Sequence, residues 1–140
     1  MRPGPPRGET ITLEVTVSAD MSARIGGQEI HPVYGTVALV GHVEQLCREL
    51  LEPHLETGED AVGARIELLH RAPVPVGETV VIVATVASVG PTTLTCEILA
   101  KHGGAVVARG SFEQRIVTIA GFAAEVAGRR SSPPPAERAH

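Results

Sequence analysis

The chain has 140 residues and a formal net charge of −4, which fits one domain and offers nucleic acid no basic footprint to neutralise phosphates. With no Trp, one Tyr and two Phe, the core must be aliphatic, and a fold of this size buries roughly 68–70% of its unfolded surface without disulfides or metals. Cys47 and Cys96 lack metal-ligand spacing, residues 1–8 lack the apolar core of a signal peptide, and no apolar run approaches the ~20 residues of a membrane span, so a cytoplasmic protein with reduced thiols is expected.

Residues 1–8, rich in Pro and Gly, read as a flexible leader. Thr10 to Val17 alternates strictly, with Ile11, Leu13, Val15 and Val17 on one side, which predicts a half-buried strand. Residues 18–35, broken by Gly26-Gly27 and Pro32, read as irregular. From Thr36 to about Glu52 the period becomes helical: Leu39, Val40, Val43, Leu46, Cys47, Leu50 and Leu51 form one wide stripe. Pro53 and the polar stretch 56–60 end that helix. The remainder is β, with strands predicted over Ala61 to His70, Thr79 to Val89, Thr93 to Lys101 and Ala105 to about Ile119. A single domain over 9–127 is expected, followed by a disordered tail over 128–140.

This order makes an α+β protein in which an antiparallel sheet buries one face against one long helix. Val81, Val83 and Val89 lie on one face of their strand and Val80, Ile82, Ala84 and Val86 on the other. Two apolar faces on one strand predict contact with a second chain.

Three residues stand out chemically. Thr36 opens the long helix, and the apolar stripe centres near its own direction, so it should point at the sheet. An ordinary helix cap would also place a Thr there. The two roles coexist, because a helix N-terminus supplies N–H donors for an oxyanion. Glu44 falls roughly 80° from Thr36 on a helical wheel, at the stripe's edge, where a plain boundary glutamate is equally at home. About 12 Å of helix axis separates the two, so a residue from elsewhere, including a second subunit, must bridge them if both serve one site. His70 ends a strand whose Ala64, Ile66 and Leu68 share its face, which carries an imidazole to the edge of the interior. A satisfied core histidine and a general base are both compatible with that position. His31, His42, His54 and His102 share no metal spacing, and Gly26-Gly27 and Gly103-Gly104 lack the context of a phosphate loop.

The layout and these residues together resemble a hotdog-fold thioesterase, and more narrowly the fluoroacetyl-CoA thioesterase-like family, from about Gly8 to Phe122. The carriers are the stretch His31-Pro32-Val33-Tyr34-Gly35-Thr36, then Glu44, then Gly63 seven residues before His70. Pro73 to Val80 resembles the turn entering the next hotdog strand, and Ala108-Arg109-Gly110 the glycine step of the last one. The resemblance implies a sheet wrapped around one long central helix and a catalytic triad of Thr36, Glu44 and His70. It places Gly63, Tyr34, Gly35 and Val37 on the substrate side, and it implies a homodimer or a tetramer. Coenzyme A enters as part of the substrate, with no separate cofactor and no metal. Aromatic residues near the acyl group are almost lacking here, and the family's late-strand arginine corresponds to Gln114. The implied substrate is therefore a plain short or medium acyl-CoA rather than fluoroacetyl-CoA.

The resulting expectation is thioester hydrolysis to free acid and CoA, with Thr36 either attacking or positioning water. A non-hydrolytic acyl-CoA binding or sensing protein on the same scaffold is the alternative. A hydratase or dehydratase would need an acid/base pair that the sequence does not display.

Overall fold

The structure, a computed structural model, describes residues 1–131. Seven strands and two α-helices follow in the order β1 (Thr10–Thr16), β2 (Ser22–Ile25), β3 (Gln28–Tyr34), α1 (Thr36–Leu51), β4 (Glu59–His70), β5 (Thr79–Val89), β6 (Thr93–His102), β7 (Ala105–Thr118) and α2 (Ile119–Gly128). Five strands form one antiparallel sheet in the order β1-β5-β6-β7-β4, and β2 and β3 form a separate hairpin.

The core lies between α1 and one face of the sheet. From α1 it takes Leu39, Val43, Leu46, Cys47, Leu50 and Leu51. Against them pack Val80, Ile82, Ala84 and Val86 of β5, then Leu94, Cys96, Ile98 and Ala100 of β6. Each fully buried Leu, Ile or Val contributes about 1.5–3 kcal/mol, so this aliphatic sandwich holds together without aromatic bulk. The expected α+β arrangement of a sheet wrapped around one long helix is what forms, and among the described residues no helix is long and apolar enough to cross a membrane.

Several expectations need correction. Residues 22–34 form a hairpin rather than an irregular segment. Gly26 and Gly27 both adopt positive φ, 60° and 81°, the tight-turn geometry that suits the twist of paired strands. The hairpin is tied to the segment before β5 by Tyr34 N–H to Val74 O at 2.7 Å and Val76 N–H to Pro32 O at 3.1 Å. The last strand stops at Thr118, whose hydroxyl caps α2 by accepting from Gly121 N–H. Helix α2 crosses the expected domain end and runs to Gly128. Residues 132–140, most of the expected tail, lie outside the described residues. The leader is also anchored at its start: Met1 is 8% exposed within the core cluster, and its ammonium pairs with Glu56 and Glu59.

Two bulges shift faces that simple alternation assigns differently. The β5–β6 register slips between Val86 and Ser88. Val89 therefore leaves the face of Val81 and Val83 and pairs with buried Leu94. The β4–β7 register slips between Gly63 and Arg65, which removes Ala64 from the face of Ile66, Leu68 and His70. One extra residue in a strand inverts every side chain beyond it. Gly63 and His70, an odd seven residues apart, consequently share the face that looks at α1.

Candidate active site

Gly35, not Thr36, is the N-cap of α1; its φ of −78° and ψ of 149° are extended, and its carbonyl accepts the first helical bond from Leu39 N–H at 3.0 Å. Thr36 is thereby freed from capping. Its Oγ1 lies 2.8 Å from Nδ1 of His70 at the end of β4. The wheel direction of Thr36 and the edge position of His70 converge on this one contact, which joins helix to sheet across 34 residues of chain.

His70 is half-buried, and burial lowers its pKa below the ordinary histidine value of about 6.5, with the Ala72 backbone opposing as a smaller effect. The imidazole is therefore neutral at pH 7. Either tautomer fits this contact, and for the imidazole to activate the hydroxyl, Thr36 must donate to Nδ1 with the ring proton on Nε2. That atom and Ser22 Oγ are the buried side-chain polar atoms without a hydrogen-bond partner among the described residues. A hydroxyl donating to a neutral imidazole is the arrangement of a nucleophile or water-positioning group with its base.

The first turn of α1 adds unpaired N–H groups, since the leading N–H groups of a helix have no intrahelical acceptor. Gly35 N–H is already committed to Met21 O at 2.8 Å, so the free donors begin inside the helix. Val37, at 80% exposure, stands on the open side of that turn. Tyr34 and Gly35, both expected on the substrate side, point inward instead. Tyr34 is 1% exposed, its hydroxyl meets His42 Nδ1 at 2.5 Å, and the two rings stack with centroids 5.8 Å apart. Burial raises its phenol pKa strongly and lowers that of His42. Gly35 has no room for a side chain: a Cβ there would sit 2.9 Å from Ser22 O and 3.0 Å from Ala23 Cα. Both residues seat the helix start against the β2–β3 hairpin.

Glu44 is not brought to Thr36 and His70 within one chain. It lies two turns along α1, exposed, against Gly63. A Cβ at Gly63 would be 3.2 Å from Glu44 Oε2 and 3.2 Å from Phe112 Cζ. These residues border a cavity of about 370 Å³ lined by Gly41, Glu44, Gln45 and Arg48 of α1, Ala61 and Gly63 of β4, and Phe112 and Gln114 of β7. Phe112 and the cavity-lining role of Gln114 escape a motif search. The period-two run Phe112, Gln114, Ile116 was the available signal, because an inward-facing glutamine between two apolar residues is unusual. Ile66, expected inward, is 39% exposed because β4 is the edge of the sheet. Residues 63–67 of that edge are all exposed. Among the described residues no group of His, Cys, Asp and Glu could hold a metal ion.

Known proteins resemble this chain in both sequence and fold. The family model described as FlK, fluoroacetyl-CoA-specific thioesterase, matches residues 17–120. A fluoroacetyl-CoA thioesterase of Streptantibioticus cattleyicolor is 32% identical over 98 residues, 70% of each chain. Among solved structures, a Thermus thermophilus protein of the thioesterase superfamily superposes with a TM-score of 0.85 at 30% identity, covering 91% of this chain and 94% of the other. A single-substitution variant of the fluoroacetyl-CoA-specific thioesterase FlK, bound to fluoroacetate and CoA, superposes with a TM-score of 0.76 at 27% identity, covering 84% and 98%.

Proposed function

The chain belongs to the fluoroacetyl-CoA-specific thioesterase family, a hotdog-fold family, and from that premise we propose that it hydrolyses a short or medium acyl-CoA thioester to free acid and CoA. The observation that carries the proposal is the 2.8 Å contact between Thr36 Oγ1 and His70 Nδ1 at the open end of the long helix.

The thioester carbonyl sits over the first turn of α1, where backbone N–H groups around Val37 hold the oxygen as it gains negative charge. Neutral His70 is the general base. It takes its proton either from Thr36, which then attacks and forms an acyl-enzyme, or from a water that Thr36 positions. The thiolate of CoA leaves as the carbonyl re-forms, and in the acyl-enzyme route a water activated by His70 then releases the acid.

Glu44 completes the site through a second copy. Its separation from Thr36, the partner of His70, is set by the helix rise, whereas the exposed β4 edge is open to pairing. Antiparallel pairing of two β4 edges about a twofold axis carries Gly63 and Glu44 of one chain towards the His70 end of its partner. The carboxylate then supports the imidazolium that forms during the reaction. This geometry makes a homodimer the minimal active unit, with a tetramer as a further assembly.

A thiol-release assay over a panel of acyl-CoA thioesters tests the activity, with CoA appearing stoichiometrically with free acid. Binding of acyl-CoA without thiol release would replace the enzyme reading with the sensor reading. Mass spectrometry of the quenched enzyme decides between the two Thr36 roles, since an acyl adduct on Thr36 occurs only if it attacks.

A further inference from the structure

The cavity beside Glu44 and Gly63 is not purely apolar: Phe112 and Ala61 share its wall with the polar side chains of Glu44, Gln45, Arg48 and Gln114. Gln114, on β7 opposite Gly63, is 4% exposed, and its Nε2 donates to Cys47 O of α1 at 3.0 Å. That bond fixes the amide's orientation, because only the nitrogen can donate to a carbonyl. Oε1 is left free: among the described residues it accepts no hydrogen bond and is not sealed from solvent, and Gln114 is one of the residues that line the cavity.

The other polar groups around the cavity are already engaged or are acceptors. Arg48 is held by Asp60 Oδ1 at 2.9 Å and by Ala61 O at 3.4 Å. Gln45 donates to Glu49 Oε1 at 3.2 Å. Glu44 presents a carboxylate. An acyl group entering here therefore meets two acceptors and no uncommitted cation. An acidic acyl tail is repelled, and an alkyl tail strips water from Gln114 Oε1 without replacing its hydrogen bond, which is costly for a buried acceptor.

We infer that the acyl group this cavity takes is a short one bearing a hydroxyl, whose O–H donates to Gln114 Oε1, and that Gln114 determines this specificity. The inference rests on the thioesterase reading above, with Gly63 on the substrate side of the site. It differs from that reading in naming the substrate's chemistry.

The test compares kcat/KM for 3-hydroxybutyryl-CoA and for isovaleryl-CoA, in which a methyl replaces the hydroxyl at nearly equal size. The ratio is independent of how much enzyme is folded. In the wild type it favours the hydroxyacyl substrate by about tenfold, the worth of one buried hydrogen bond, and in Gln114→Met it collapses to about one. A wild-type ratio at or below one overturns the inference, as does an unchanged ratio in the variant. Should Gln114→Met not fold, the wild-type enzyme is tested on hydroxyacetyl-CoA against methoxyacetyl-CoA. Methylation keeps the oxygen's inductive pull but removes the donor, so methoxyacetyl-CoA falls behind by about the same factor, and parity overturns the inference. Hydrolysis of isovaleryl-CoA in preference leaves the thioesterase reading standing while this inference fails. No hydrolysis of any thioester removes both.

Discussion

At its first turn α1 meets β4 through a hydrogen bond, Thr36 to His70 at 2.8 Å, whereas two turns later it meets the same strand through a missing side chain, with Gly63 leaving room for the Glu44 carboxylate. The first contact is complete within one chain. It joins a hydroxyl freed from capping duty to an imidazole that burial keeps neutral. The second is open: its carboxylate is exposed, its cavity borders a bare sheet edge, and its one buried polar wall is Gln114. Reacting groups must be held to a fraction of an ångström and so sit on rigid elements. Substrate groups need space, which glycine and an edge strand supply.

Removing the base should break the first contact most completely. His70→Ala is expected to lower kcat/KM by about 10³-fold, within the range of general-base contributions, with the fold retained as judged by circular dichroism. Thr36→Ala should cost on the order of 10²-fold, and Thr36→Ser should recover most of the activity because the hydroxyl is what His70 meets. An alanine variant that hydrolyses thioesters undiminished would remove Thr36 from the mechanism.

The second contact is probed by filling it. In Gly63→Ala the new methyl is 3.2 Å from both Glu44 Oε2 and Phe112 Cζ, closer than comfortable packing, so one of them must shift. About a tenfold loss in kcat/KM is expected, the lower end of an overpacking cost of ~1–3 kcal/mol, carried mainly by substrates with bulkier acyl groups. An equal loss for all acyl groups would mean that Gly63 serves the helix packing rather than the acyl cavity.

The smallest effect is in pH. Because burial lowers the His70 pKa, the imidazole stays deprotonated through the ordinary histidine midpoint of about 6.5. The acid limb of kcat/KM should lie below that midpoint, with activity lost as pH falls through the folded-state value. Stability follows the same sign: the His70 contribution is full above about pH 6.5 and declines as pH falls towards the folded-state pKa, since the unfolded chain binds the proton more tightly. An acid limb at or above 6.5 in a pH–rate profile would contradict a buried neutral base.

Much of this was readable from particular residues. The stripe Leu39 to Leu51 and the alternation in β1, β5 and β6 report burial directly, because side-chain period follows backbone geometry within a single element. The joint spacing of Thr36, Glu44, Gly63 and His70 carried the family. The β2–β3 hairpin is hard to read although Gly26-Gly27 is a turn signal, because its strands are short and their residues mostly exposed, so they lack the burial alternation that marks a strand. Helix α2 is hard to read because it is only ten residues long and its first residue, Ile119, follows β7 directly and reads as that strand's end.

The sequence by itself determined the aliphatic core, the long helix, the order of the main strands and the residue types of the site, since all of these depend on neighbours within about ten positions. Tertiary structure decided which side chains meet. Thr36 reaches His70 only because the sheet closes beneath the helix. Gly63 shares the His70 face only because β7 pairs with β4 around a bulge at Ala64. Gln114 keeps its carbonyl free only because Cys47 O holds its amide nitrogen. Pairing register and buried hydrogen bonds link residues far apart in the chain, and periodicity, being local, carries no record of them.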